Sequence, residues 1–203
     1  TRDLRGGETV LGAIGTWTHR ANDEWTEGHL RDNAVVGGFD LLHRFSDRRY
    51  QVQVRAVGSQ VTGSAEAIAG TQTGNVHLYQ RPDGPLRFDP SRTSLGGDFE
   101  QVTFGKVGGG ILRFETSYQR TSPGFEINDL GFLNRADVQA QATWASLNFT
   151  EPTRLYRRAF WNFNQENRGT AGGLPLGRRG NTNFHAELQM SWWVHAGVTW
   201  GGL

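Results

Sequence analysis

The feature that most limits what this chain can fold into is its period of two. Residues 50–58 read Tyr-Gln-Val-Gln-Val-Arg-Ala-Val-Gly, with Tyr50, Val52, Val54 and Ala56 on one parity and Gln51, Gln53 and Arg55 on the other. Residues 111–120 set Leu112, Phe114, Thr116 and Tyr118 against Arg113, Glu115, Ser117 and Gln119. Residues 135–145 set Ala136, Val138, Ala140, Ala142 and Trp144 against Arg135, Asp137, Gln139, Gln141 and Thr143. Residues 183–192 and 35–45 behave alike; in the latter Val35, Gly37, Phe39, Leu41 and Phe45 oppose Asp40 and Arg44. Successive side chains of a strand point to opposite faces, so each segment has an oily and a polar side. No stretch has a helical period of similar strength, and the chain is expected to be all-β.

Weaker strands are expected at about 8–18, 94–106 and 155–166, and a ninth begins near His195. Short connections (46–49, 107–110, 150–154 and Val194) alternate with long ones at 19–33, 59–93, 121–134 and 167–182. This rhythm predicts an up-and-down antiparallel meander of about 8–9 strands, with every long loop at one end. The clearest strands reach the roughly 9–11 residues that cross a bilayer at a tilt. Their polar sides are too charged for the interior of a sandwich. Large aromatics stand towards strand ends, as in interfacial belts. The expectation is one domain over residues 1–203, part of a larger transmembrane β-barrel and truncated at both ends. Its oily side faces lipid and its polar side faces water. The alternative is a soluble all-β carbohydrate-binding or hydrolase module.

Composition excludes several functions. With 21 basic and 20 acidic residues the net charge is +1, which leaves no basic stripe for nucleic acid. The absence of Cys removes disulfides, thiolate metal sites and thiol nucleophiles. No run of apolar residues is long enough for a membrane-spanning helix.

The segment Ser122-Pro-Gly-Phe-Glu-Ile-Asn-Asp-Leu-Gly-Phe-Leu-Asn-Arg-Ala-Asp137 resembles the signature loop of a bacterial barrel family of unknown function. Tyr79-Gln-Arg-Pro-Asp83 and Thr93-Ser-Leu-Gly-Gly97 are similar to further stretches of it, and Gly105-Lys106 before a turn fits as well. In that family the barrel follows a module similar to family-nine carbohydrate-binding modules, which is absent from these residues. The resemblance implies the outer membrane of a Gram-negative-type bacterium and a role in solute passage or surface anchoring linked to glycan use. It implies the lipid bilayer as partner, with a glycan or small solute as ligand. It carries over no catalytic residue and no cofactor, and the chain is not expected to be an enzyme.

Glu126 and Asp129, three apart beside Asn128, offer a carboxylate pair for a cation or sugar. The bland reading is a folded loop, with a turn at Pro123-Gly124, Asn128 and Asp129 bonding nearby N–H groups, and Phe125 and Phe132 tucked against the barrel mouth. The bland reading is preferred. Six scattered His show no paired metal-ligand spacing, and neither a GxSxG elbow nor a phosphate loop occurs. The predicted inner wall comprises Asp40, Arg44, Arg55, Arg113, Glu115, Arg135, Asp137, Arg158 and Glu187. Its mixed charges would tune passage, stiffen the wall by cross-strand pairing, or both. A plugged, non-conducting barrel is a third possibility for the same pattern.

Overall fold

The computed structural model describes residues 1–203. Ten antiparallel strands form a single sheet in chain order, each bonded to the next. They are β1 (Arg2–Leu4), β2 (Thr9–His19), β3 (Asn33–Phe45), β4 (Tyr50–Thr62), β5 (Ser94–Lys106), β6 (Leu112–Thr121), β7 (Val138–Phe149), β8 (Tyr156–Gly169), β9 (Pro175–Leu188) and β10 (Trp193–Gly202). The all-β meander expected from the alternation is the observed fold. Its first and last strands are not paired, so the sheet is open. One helix, α1 (Ala65–Thr73), interrupts the β4–β5 connection, and a 3-10 turn (Arg5–Gly7) follows β1.

Hairpin chemistry sets the short end. Between β5 and β6, Gly109 and Gly110 adopt φ of 72° and 70°, a region open to glycine without steric cost. At the opposite end the connections 20–32, 63–93 and 122–137 are long. The fourth expected long loop is not: β8 runs to Gly169 and β9 starts at Pro175, so five residues replace the predicted sixteen. Gly and Arg in 170–182 read as loop, yet most of them lie in the strand. Helix α1 and the short β1 were not expected. The helix has a weak apolar stripe, and β1 is only three residues long.

The cross-strand register sorts every side chain onto one of two faces. Ala34, Val61 and Leu95 lie side by side on β3, β4 and β5. They are buried with Ile68 of α1 and Tyr79. The long loops therefore fold over this face, the covered face. Ile14 of β2 and Arg168 of β8 line one cavity on it, so the sheet curls into a trough and the covered face is its hollow side. The opposite, bare face has no protein layer on it. Leu11, Trp17, Val35, Phe39, Val102, Tyr118, Trp161, Phe163, Val198 and Trp200 all share this face, and all are exposed.

One strand faces opposite to expectation. In β7, Ala140 is partnered by Gln119 and Trp144 by Glu115, which puts the apolar parity on the covered face. Val138 and Ala140 are buried there under the loop layer. Alternation shows that a strand has two sides but not which way they point, and here small apolar residues are needed beneath a loop. The polar parity of β7 consequently reaches the bare face, where it bonds to itself. The Tyr118 hydroxyl donates to Gln139 Oε1 at 2.8 Å, Gln141 Nε2 donates to Thr143 Oγ1 at 2.8 Å, and the Thr116 and Thr143 hydroxyls meet at 2.9 Å.

Two glycines let the loop 122–137 seat on the sheet backbone to backbone. A Cβ on Gly97 would lie 2.2 Å from Phe125 N, and one on Gly124 would lie 2.3 Å from Gly96 O. Neither obstacle is a flexible side chain. Gly97→Ala is expected to lift the loop and cost about 1–3 kcal/mol, the range for an overpacked contact. Denaturation of the variant against wild type, with proteolysis of 122–137 as local readout, checks it.

Candidate functional site

Loops 20–32, 63–93 and 122–137 meet at one cluster above β3–β5. Helix α1 is the first piece. Ser64 caps it, its Oγ accepting from Ala67 N at 3.2 Å and donating to the Glu27 carbonyl at 2.7 Å, which ties the first loop to the second. Such a cap contributes about 1 kcal/mol. Gln72, fully buried, donates to the Asp89 carbonyl at 2.8 Å and accepts from Asp89 N at 2.9 Å. Both ends of its amide are satisfied, as a buried polar group requires.

Charged groups then alternate in sign across the three loops. Arg20 holds Asp129 at 2.5 Å, and Arg31 Nε holds the same carboxylate at 2.9 Å. Arg31 Nη1 reaches Glu126 at 3.4 Å, and His77 Nε2 meets Glu126 Oε2 at 3.0 Å. The carboxylates and the imidazole are nearly inaccessible, with 3%, 5% and 1% of the Glu126, Asp129 and His77 side chains exposed. Glu126 also accepts from Asn128 N at 2.6 Å, and its own N–H donates to Ser59 Oγ at 2.9 Å. Burial pushes the Glu126 carboxyl up, but the hydrogen bond from His77, the bond from Asn128 N–H and the nearby Arg31 together hold it below its ordinary value of 4.5. His77 Nδ1 lies 2.8 Å from the Pro123 carbonyl, which can only accept. An ionised Glu126 can also only accept, so both ring nitrogens of His77 face acceptors.

A second pair lies next to it. Arg81 grips Asp137, whose other oxygen accepts from Ala171 N at 3.0 Å. Asp137 holds a left-handed φ of 55°. Tyr79 packs beside Gly124 with its hydroxyl unpartnered, and burial pushes that phenol up to about 12, with Asp137 adding to the shift and Arg92 opposing it.

The residues singled out in the signature loop are therefore brought together, but as structure. Phe125 is buried, its ring 6.2 Å from that of Phe99. Asn128 Oδ1 accepts from Leu133 N at 2.6 Å and its amide donates back to the Leu133 carbonyl at 3.1 Å, closing the loop on itself. Glu126 and Asp129 are occupied by cations of the same chain. Asp129 takes two arginines instead of the expected backbone N–H, and Phe132 is 83% exposed instead of tucked in.

The predicted wall divides. Asp40, Arg44, Arg55, Arg113, Glu115, Arg158 and Glu187 share the covered face by register. Arg158 pairs with Glu187 at 2.8 Å and stacks over Trp193 at 5.1 Å; Arg55 donates to Gln101 at 3.2 Å. Gly12 leaves room for Asp40, since a Cβ there would stand 2.2 Å from its Oδ1. Arg135 and Asp137 precede β7 and belong to the loop layer, because the strand begins at Val138. Sequence reading missed Arg20, Arg31 and His77, whose partners lie 49–109 residues away. It also missed His185 and His195, which face each other across β9–β10 with Nδ1 atoms 2.5 Å apart. No third His, Asp or Glu joins them as a metal ligand set.

Residues 25–200 match a family described as a domain of unknown function, DUF5916. No curated protein and no solved structure matches the chain.

Two outcomes are expected of the cluster. Arg31→Ala removes the cation shared by two buried carboxylates and should cost about 3 kcal/mol in denaturant unfolding. Glu126 is lower in the fold than unfolded, so its contribution is full above its ordinary value and is lost as pH falls through the folded one. Protection factors for hydrogen exchange of residues 122–137, referred to the intrinsic rate at each pH, should therefore fall below about pH 4.5 in wild type, and less steeply in Glu126→Gln.

Proposed function

The chain belongs to the DUF5916 family of uncharacterised domains, and we propose that it forms part of the wall of a transmembrane β-barrel in a bacterial outer membrane. The bare face carries the reading. On seven of its strands, β2, β3, β5, β6 and β8–β10, large apolar side chains of this face are exposed and have no layer of the same sheet to cover them. In water, an apolar surface of this extent marks contact with a membrane or another protein. Lipid suits it because the strands β2–β10 each run 10–14 residues, long enough to cross. Several polar groups on that face are bonded to one another: Trp161 Nε1 donates to Thr182 at 2.8 Å and Arg120 pairs with Asp98 at 2.8 Å, while Glu100 and Arg178 stand on the same face without such a partner.

On this reading the covered face lines the lumen. Its short-turn half is charged and wet, with Arg44, Arg55, Arg113 and Glu115. Its long-loop half is roofed by the pinned loops. The role is passage of a small solute past a fixed plug, or surface anchoring beside a glycan-binding module. The open edges at β1 and β10 require further strands to pair with before the sheet can sit in hydrocarbon.

The alternative is a soluble carbohydrate module, for which Trp25 and Phe132 in the loops, 78% and 83% exposed, would be the sugar platforms. Single-cysteine variants of the full-length parent at Val54 and Arg55 separate the two. Membrane fractions should show Val54→Cys labelled only by a lipid-soluble maleimide and Arg55→Cys by a water-soluble one. Equal labelling of both by the water-soluble reagent, or a parent protein soluble without detergent, rejects the barrel.

A further inference from the structure

The covered face holds a cavity of about 700 Å³ beneath the signature loop. Its floor comes from the sheet, with Ile14, Val36, Val57 and Phe99 on four neighbouring strands, and its roof from the loop through Ile127 and Leu133. Eleven of its 18 lining residues are hydrophobic, which disfavours a sugar, whose hydroxyls each need a polar partner. The charged lining residues are both arginines, Arg135 and Arg168, with no carboxylate among them. Arg168 has a counter-ion in Glu166 at 3.3 Å, a carboxylate it shares with Arg179 at 2.5 Å. Arg135, in contrast, enters none of the ion pairs that pin the neighbouring Arg20, Arg31 and Arg81. It is half-buried on the cavity wall, a cation without a counter-ion beside an oily chamber.

We propose that this cavity binds an anionic single-chain amphiphile, with the acyl chain against Val36, Val57 and Phe99 and the carboxylate or phosphate head on Arg135. The chemistry is complementary at both ends. Seating the chain between the sheet floor and the loop removes apolar surface of both from water. A guanidinium offers two parallel donors to a carboxylate or phosphate. The volume is within the range of small-molecule sites. The inference does not depend on what covers the bare face, because every lining group named is on the covered face or in its loop.

The test is photocrosslinking of the full-length parent, in its own membranes, with a diazirine-bearing fatty acid. Crosslinks should map to the loop 125–138 and to the floor positions. Laurate or dodecyl phosphate should displace the probe, the stronger of the two naming the head group, and dodecanol should not. Arg135→Gln should weaken displacement about tenfold, the value of one charged hydrogen-bond pair. Val57→Trp, which fills the floor, should abolish labelling while labelling of bare-face positions persists. Equal competition by dodecanol, unchanged affinity in Arg135→Gln, or crosslinks confined to the bare face would overturn the proposal. Loss of labelling at the cavity with Val54→Cys still lipid-accessible would separate its failure from that of the barrel reading.

Discussion

The antiparallel hydrogen-bond ladder governs the rest of this molecule. Of 132 backbone hydrogen bonds, 99 lie within its helices and strands, so the sheet is held by main chain and the long loops chiefly by their side chains. A ladder also fixes parity. Once Ala34, Val61 and Leu95 lie under α1, the pairing from strand to strand decides where every other side chain points. A slip of one residue would move this trio to the bare face and open the base of the loop layer to water. Both faces, one loop-bearing and hollow and the other apolar and unclothed, are consequences of a single register.

The loops solve a different problem. They are too long to be ordered by turn chemistry and too polar to be ordered by a core, and the apolar cluster beneath them has only five buried members. Order comes from glycines that admit close backbone contact and from charges that alternate along a buried chain from Arg20 to His77. Each carboxylate in that chain has more than one donor, so no charge is buried alone. The three stretches singled out by resemblance, 79–83, 93–97 and 122–137, prove to be one packed unit: Gly97 seats Phe125, Tyr79 abuts Gly124, and Arg81 holds Asp137.

How much of this was legible in the sequence follows from range. Period two is a local signal, and it yielded the strands, their order and the facing of β3, β4, β6, β8 and β9. It failed for β7, where the neighbour's register and not the strand itself decides the outside. It failed for 170–182, where Gly and Arg mimic a loop inside paired strands. The loop motif was legible as a folded unit through Asn128 and Phe125. Its counter-ions were not, because nothing local to Arg20 or Arg31 signals a carboxylate about a hundred residues away.

The five-residue link between β8 and β9 gives the trough a lopsided rim. Three tall loops stand along the flank made by β2–β7, while the flank of β8–β10 ends in a low parapet with no roof of its own. The hollow side is therefore asymmetric: no tall loop rises at the β8–β9 bend, where Arg168 forms part of the cavity wall.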